Sequence, residues 1–285
     1  MAPRTVQLFV NDTAGSWSRG RTRALHDAFV AAGARVIVTD CGADELTIDP
    51  DADHVCVVGG DGTLRHVATA AARATRALTM SIYPSGTVNL VARERRYPRE
   101  PKAFVARALS GTAPRRHYFA MIGDVPLAGV ASVGPDSYAV ARLSPRLKRV
   151  IGRAAYVVAF LAVLIRWSRP QLQVTAGERV VACEAVYIAK GRFFAGPWSF
   201  APQAAVDQPL LHVVALTRAT RTDYLRFIWA LARGRGGADH PNLIRFACTE
   251  IDIAGAANVP LQGDGDIVSS LPARLRLNSE TLAFA

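Results

Sequence analysis

Cysteine is scarce: Cys41, Cys56, Cys183 and Cys248 are the only four in 285 residues. No two form a C-x-x-C pair and none is grouped with histidine, which argues against a zinc site or a disulfide framework and leaves them as small core residues. Long apolar runs are also missing. The longest, Ala154–Ile165 (AAYVVAFLAVLI), is well short of the ~20 residues that a bilayer span requires. The opening MAPRTVQLFVNDTAGSW offers only Val6–Val10, interrupted by Gln7, too little for a secretory signal, so a cytoplasmic location is expected. Acidic residues are outnumbered, 23 against 34 Lys and Arg, for a net charge of +11. That balance suits an anionic partner such as a membrane surface, a nucleic acid or a phosphorylated ligand. The basic residues are not interleaved with stacking aromatics, so nucleic acid is not expected.

What is present is apolar bulk and turn-formers: 50% hydrophobic residues, 22 Gly and 16 Pro, enough for one large core or two ordinary ones. The first ~115 residues alternate short β-branched runs with helical patterns, as an open α/β sheet does. Strands are expected at 5–11, 35–39, 54–58 and 79–83, with a helix over Arg19–Ala32 ended by Gly33. HVCVV at 54–58 is continuously apolar, which suits a central parallel strand covered on both faces. Past Pro114 the pattern becomes that of an antiparallel sheet, with strands at Gln171–Thr175, Arg179–Ile188, Leu210–Leu216, Phe246–Ile253 and Ala273–Leu277. Helices are expected at Ala154–Trp167 and Asp223–Arg233. The spacing places a domain boundary near residues 112–118, giving domains 1–115 and 116–285. No internal repeat is present.

The strongest local signal is VCVVGGDGTLRHVATA, where a buried strand runs into a glycine turn that opens a helix. Free backbone N–H groups and the positive end of the helix dipole make such a turn an anion site. Glycine permits close approach of a phosphate. Asp61 can order a magnesium ion or its waters, and Thr63 can cap the helix. A plain tight turn explains a bare G-G-x-G equally well, and the spacing is not that of a Walker-type loop. A second such turn, Pro84-Ser85-Gly86-Thr87-Val88-Asn89, follows the next strand, and two side by side at the carboxyl edge of a sheet point to one nucleotide crevice.

On these residues the chain resembles the diacylglycerol kinase catalytic family, which includes bacterial lipid kinases, sphingosine kinases and ceramide kinases. Gly59, Gly60, Asp61, Gly62 and Thr63 match its G-G-D-G-T, and Pro84–Asn89 its P-x-G-T-x-N. Asn11–Gly15 is similar to its opening N-P-x-x-G loop with Asp12 at the proline, and Thr39 falls where its second strand ends near the nucleotide. Gly134-Pro135-Asp136 and LKRVIGRAAY are similar to its G-x-D segment and the helix after it, and Gln262–Asp266 (QGDGD) stands at its closing D-G-E.

The resemblance implies an N-terminal α/β lobe, Rossmann-like and of the NAD kinase/diacylglycerol kinase type. It also implies a second, mainly antiparallel β-sandwich lobe, with the last residues able to return to the first. ATP and Mg²⁺ are implied in the cleft between the lobes. Asn11, Gly15, Thr39, the 59–63 loop, Gly86, Thr87 and Asn89 are then nucleotide-binding. Asp61 and Asp207 are metal-binding, and Asp264 and Asp266 catalytic, accepting and orienting the proton of a lipid hydroxyl. The sequence departs from the family at Leu90, Arg65-His66, Lys190 and Gln208, and the last of these weakens the match at Asp207.

The acceptor is expected to be a long-chain lipid, diacylglycerol or a sphingoid lipid or ceramide. The seven basic residues Arg142, Arg146, Lys148, Arg149, Arg153, Arg166 and Arg169 flank the apolar run without an acid, suiting peripheral docking on an anionic inner membrane face. An edge strand of the second lobe could pair two chains in a homodimer. An NAD kinase-like enzyme and a catalytically inactive lipid-binding module on the same fold are the alternatives.

Overall fold

The computed structural model describes residues 4–42, 45–74, 77–142, 153–236 and 240–285. The chain divides into two compact units, one running through Tyr118 and taking in Ser279–Ala285, the other Phe119–Asn278.

In the first unit, β1 (Thr5–Val10), β2 (Arg35–Asp40), β3 (His54–Gly59) and β4 (Thr79–Pro84) form a parallel sheet in the order β2-β1-β3-β4. Every residue of β1 and β3 is buried, whereas no residue of β2, the edge strand, is. The chain leaves β1 toward β2 on one side and continues with β3 and β4 on the other. The order therefore reverses between β1 and β3, the place where open α/β sheets bind ligands. Helix α1 (Arg19–Ala31) ends before Gly33, which takes φ +82, a left-handed stop that costs glycine nothing. It packs through Leu25 and Phe29 against α4 (Pro101–Ala108), where the Phe104 ring meets Phe29 and Tyr83 edge-on. Between these helices lie α2 (Asp61–Ala72) and the short α3 (Leu90–Glu94).

His54 is wholly buried and joins β3 to β4 through Thr79 Oγ1 at 2.8 Å and Ser81 Oγ at 2.7 Å. Burial pushes its imidazole down to about 3, so it stays neutral. The final residues pair in parallel with β4 (Ala283 with Thr79, Phe284 with Met80), Phe284 is buried beneath the Arg95 guanidinium, and Tyr97 donates its hydroxyl to the Ala285 carbonyl.

The second unit is a sandwich. One sheet contains β7 (Val130–Val133), β10 (Ala185–Ala189), β11 (Leu211–Leu216), β12 (Leu243–Cys248), β14 (Pro260–Gly263) and β15 (Asp266–Ser270), in the order β12-β11-β10-β7-β14-β15. Facing it, β13 (Glu250–Gly255) lies between β8 (Leu172–Ala176), which also pairs with β9 (Arg179–Cys183), and the first residues of β16 (Ala273–Phe284). Val133, Val186, Ile188 and Val213 from one sheet and Val174, Ile251 and Leu275 from the other share a core.

The two long strands expected at Arg179–Ile188 and Phe246–Ile253 are each two strands. The chain crosses from one sheet to the other at Glu184 and again at Thr249. At the first crossing the buried Glu184 carboxylate accepts from Ala219 N at 2.7 Å and pairs with Arg169 at 3.0 Å, bonds that lie outside either ladder. Strand β5 (Arg115–Ile122) pairs with β16 and with β6 (Val125–Leu127), and Ala120, Ile122 and Leu127 join the sandwich core; the helices here are α5 (Pro135–Arg142), α6 (Arg153–Ile165) and α7 (Arg221–Ala232). Thr220 and Asp223 form a capping box at the start of α7. Among the described residues no helix is long and apolar enough to cross a membrane.

Candidate active site

Three loops leave the carboxyl ends of β1, β3 and β4, and backbone contact holds them together. A Cβ on Gly86 would lie 2.4 Å from the Gly60 Cα, so position 86 tolerates no side chain, and one on Gly60 would crowd the Gly86 Cα at 3.1 Å. Gly59 O accepts from Ser85 N at 3.1 Å and Gly86 N at 3.2 Å. Asn89 takes the left-handed conformation (φ 57, ψ 58) and closes its loop from both ends of its amide, Oδ1 accepting from Gly86 N at 2.8 Å and Nδ2 donating to Gly86 O at 2.7 Å.

The β1 loop joins the same cluster. Ser16 N donates to Ser85 O at 2.9 Å and Asn11 N to Val58 O at 3.0 Å, and a Cβ on Gly15 would sit 2.5 Å from Thr87 Oγ1. Asn11 Nδ2 donates to Thr63 Oγ1 at 2.8 Å. Thr63 therefore does not cap α2 as expected: the helix begins two residues earlier, behind Gly60, and the hydroxyl is turned toward Asn11. The first-turn amides at Gly62 and Thr63 precede the first bond within the helix, Leu64 N to Gly60 O.

Asp61 is buried, and both its oxygens accept backbone amides, Oδ2 from Leu90 N at 2.8 Å and Oδ1 from Val91 N at 3.0 Å. It caps α3 from the neighbouring loop. Burial pushes its carboxyl above the usual range, against the pull of those amides. Thr39, at the end of β2, accepts from Gln7 Nε2 at 2.9 Å, part of a clamp in which Gln7 also holds the 47–49 segment.

Sequence reasoning missed Ser16, Trp17 and Arg21, and gave Ser85 no part beyond its place in the second turn. Ser85 Oγ and Trp17 Nε1 are buried in these loops with no hydrogen-bond partner, an arrangement that calls for a polar ligand or water. Arg21 reaches the Ser16 carbonyl. The available signal was RGRTR at 19–23: the first turn of α1 carries arginine and no acid, where the helix dipole disfavours cations unless an anion is near.

In the second unit the turn between β14 and β15 carries Asp264 and Asp266. Asp264 has φ 51, and its carboxylate accepts three amides: Ala128 N on Oδ2 at 2.7 Å, and Gly129 N and Val130 N on Oδ1 at 2.9 and 3.0 Å. Asp266 opens β15 opposite Gly263 and is half-buried. Gly265 N donates to Gln262 Oε1 at 3.0 Å, Gln262 Nε2 to Ser132 Oγ at 2.9 Å, and Ser132 in turn to Asp136. Asp136 also accepts from Tyr187 at 3.0 Å, and Tyr187 bonds Tyr224. Burial raises the Asp136 carboxyl and both phenols. A buried polar chain thus runs from the aspartate turn to Tyr224.

Asp207 lies in the loop before β11. The Lys190 ammonium, wholly buried, donates to Ala205 O at 2.9 Å and Gln208 O at 2.7 Å, on either side of it. Carbonyls that could ligate a cation there already hold one. Among the described residues no three His, Cys, Asp or Glu side chains gather as a metal group. A resident magnesium therefore does not fit the Asp207 loop. At Asp61 a direct ligand bond would compete with two amides.

Two family models cover the chain: the diacylglycerol kinase catalytic domain matches residues 5–119 and the YegS C-terminal NAD kinase beta sandwich-like domain residues 129–285. The "Probable lipid kinase YegS-like" protein of Pseudomonas aeruginosa (strain UCBPP-PA14) is 32% identical over 87% of this chain and 76% of its own length. The diacylglycerol kinase of Staphylococcus epidermidis (strain ATCC 35984) is 23% identical over 83% of this chain and 74% of its own. A diacylglycerol kinase crystal structure from Bacillus anthracis str. Sterne shares the fold at TM-score 0.74 and 17% identity, covering 99% of this chain and 97% of that one. The chain belongs to the YegS-type lipid kinases of the diacylglycerol kinase family, and it is a kinase.

Proposed function

We propose that this kinase transfers the γ-phosphate of ATP to a hydroxyl of a long-chain membrane lipid, diacylglycerol or a sphingoid lipid or ceramide. The observation that carries the ATP half is the cluster of three glycine loops beside the sheet's reversal point, with Ser85 Oγ buried and unsatisfied within it. Backbone amides of the 59–63 and 86–89 turns hold the phosphates, and Arg21 adds positive charge. Phosphoryl transfer needs little covalent help from a protein, so positioning and charge account for most of the catalysis. Magnesium enters with ATP as part of the substrate.

The two acids of the second unit take different roles. Asp266 accepts the proton of the attacking hydroxyl, because a base must bring an oxygen within hydrogen-bond reach of the acceptor. Asp264, already engaged by three amides, fixes the turn that presents Asp266. Aspartate is one methylene shorter than the glutamate of the family pattern, and a water molecule makes up the reach.

The test is an ATP-dependent phosphorylation panel in mixed micelles over diacylglycerol, monoacylglycerol, ceramide, sphingosine and polyprenol, with NAD as a further acceptor. Label entering diacylglycerol, ceramide or sphingosine is expected. Label entering NAD alone, or no lipid at all, would overturn the reading.

A further inference from the structure

Helix α6 is apolar all round, yet it is only half covered. Val163 and Leu164 are buried, and Val163 packs with Trp167 and Ala139, while Val158, Leu161 and Ile165 are 55%, 50% and 68% exposed. These positions are spaced i, i+3 and i+7, so they form one stripe along the helix. Helix α7 repeats the pattern. Tyr224, Phe227 and Leu231 face the core, and Leu225 and Trp229, one turn apart, are 55% and 53% exposed. The helices are joined where α6 ends and α7 begins. Arg221 donates from Nε to Leu164 O at 3.1 Å and also to Ile165 O, and the Phe160 and Tyr224 rings lie 6.1 Å apart. Each of the two joined helices thus leaves an apolar stripe uncovered among the described residues, a larger apolar display than scattered surface residues give.

Charge selects the occupant. No acid occurs from Arg153 to Arg169. Between Arg221 and Gly236 the single acid is Asp223, which is buried against Arg218 at 3.0 Å. Arg166, Arg226 and Arg233 stand exposed on or beside the stripes, and the Arg233 guanidinium covers the Trp229 ring at 4.1 Å. Of the basic rim expected from sequence, Arg146, Lys148 and Arg149 lie outside the described residues, as does the side chain of Arg153. Arg169 is paired with Glu184. Another protein surface would need acids set to match. An anionic leaflet needs only charge and depth: apolar side chains enter the acyl boundary, Trp sits at the headgroup level, and arginines meet the phosphates.

We propose that the exposed faces of α6 and α7 together form the surface through which the enzyme docks on an anionic lipid bilayer. This deepens the proposed function and rests on it, since a kinase for a membrane lipid must meet that lipid at its surface.

The test is co-sedimentation with phosphatidylcholine vesicles with and without phosphatidylserine, using the full chain. Wild type should bind better with phosphatidylserine and lose that gain as salt rises. Leu161→Ser/Ile165→Ser and, separately, Leu225→Ser/Trp229→Ser should each weaken vesicle binding about tenfold or more. Arg226→Glu should weaken it about fivefold, and only on anionic vesicles. These residues are exposed, so the melting temperature should not fall. Transfer to a short-chain diacylglycerol dispersed in water should stay at the wild-type level, while transfer to vesicle-borne lipid drops. Vesicle binding unchanged in both double variants overturns the proposal. So does a wild-type dimer that Leu161→Ser/Ile165→Ser splits without loss of vesicle binding, which would make the face a contact between two copies. Because binding is read without catalysis, absence of kinase activity toward every lipid would sink the proposed function and leave this measurement standing.

Discussion

Each unit places an aspartate in a glycine turn, and the two turns treat it alike in one respect and differently in another. Asp61 follows Gly60, opens a helix and is sealed from solvent; Asp264 precedes Gly265 in a left-handed turn between two strands. Both carboxylates accept backbone amides from a segment distant in sequence, Asp61 two from 90–91 and Asp264 three from 128–130. In each case the acid that looks most like chemistry on paper braces a neighbouring loop. The difference lies in what is braced: Asp61 locks one phosphate-type loop to another, whereas Asp264 fixes the turn on which a second acid, Asp266, is displayed.

Removing each brace separates the two. Asp264→Ala strands three amides and Asp61→Ala two, and an unsatisfied buried donor costs ~1–3 kcal/mol. Asp264→Ala should therefore give the larger fall in denaturation midpoint at constant m-value, with Asp61→Ala next. Equal, negligible losses in urea melts would mean that the amide bonds are not what holds these turns. Asp61→Asn should cost less than Asp61→Ala, since the carboxamide oxygen keeps one of the two amides.

A smaller effect comes from Lys190. If its ammonium is the cation of the 205–208 loop, chelation with EDTA should leave the nucleotide-free melting temperature of wild type unchanged. Lys190→Met should lower that melting temperature, because each orphaned carbonyl costs ~1–3 kcal/mol of unfolding free energy. A wild-type melting temperature that falls on chelation would restore a metal to the Asp207 loop.

The parallel strands of the first unit were legible because each is a short β-branched run closed by a turn. HVCVV at 54–58 reads as buried on both faces, and the whole strand His54–Gly59 is buried. The sheet changes at Glu184 and Thr249 were not. VVACEAVYIA and RFACTEIDIA carry no Gly or Pro at the crossing, and whether a strand continues or changes partners is decided by tertiary pairing. Thr63 followed the same rule, a hydroxyl fit to cap its own helix turning instead to Asn11, more than fifty residues away. The glycine loops were visible as motifs. Their mutual contact through Gly60 and Gly86 was not, because a missing Cβ leaves no trace of what fills its space. The apolar stripe on α7 was hidden by composition: Tyr224, Leu225, Phe227 and Trp229 look alike in sequence, and only packing divides the buried from the exposed.

The most direct measurement is turnover of the Asp266→Asn variant with γ-phosphate-labelled ATP and the accepted lipid in mixed micelles, alongside its melting temperature and ATP affinity. A fall of about 10²–10⁴-fold in kcat with both other quantities unchanged is expected for loss of a general base. Wild-type turnover in that variant would contradict the assignment of the proton acceptor, and with it the division of labour between the two acids of the turn.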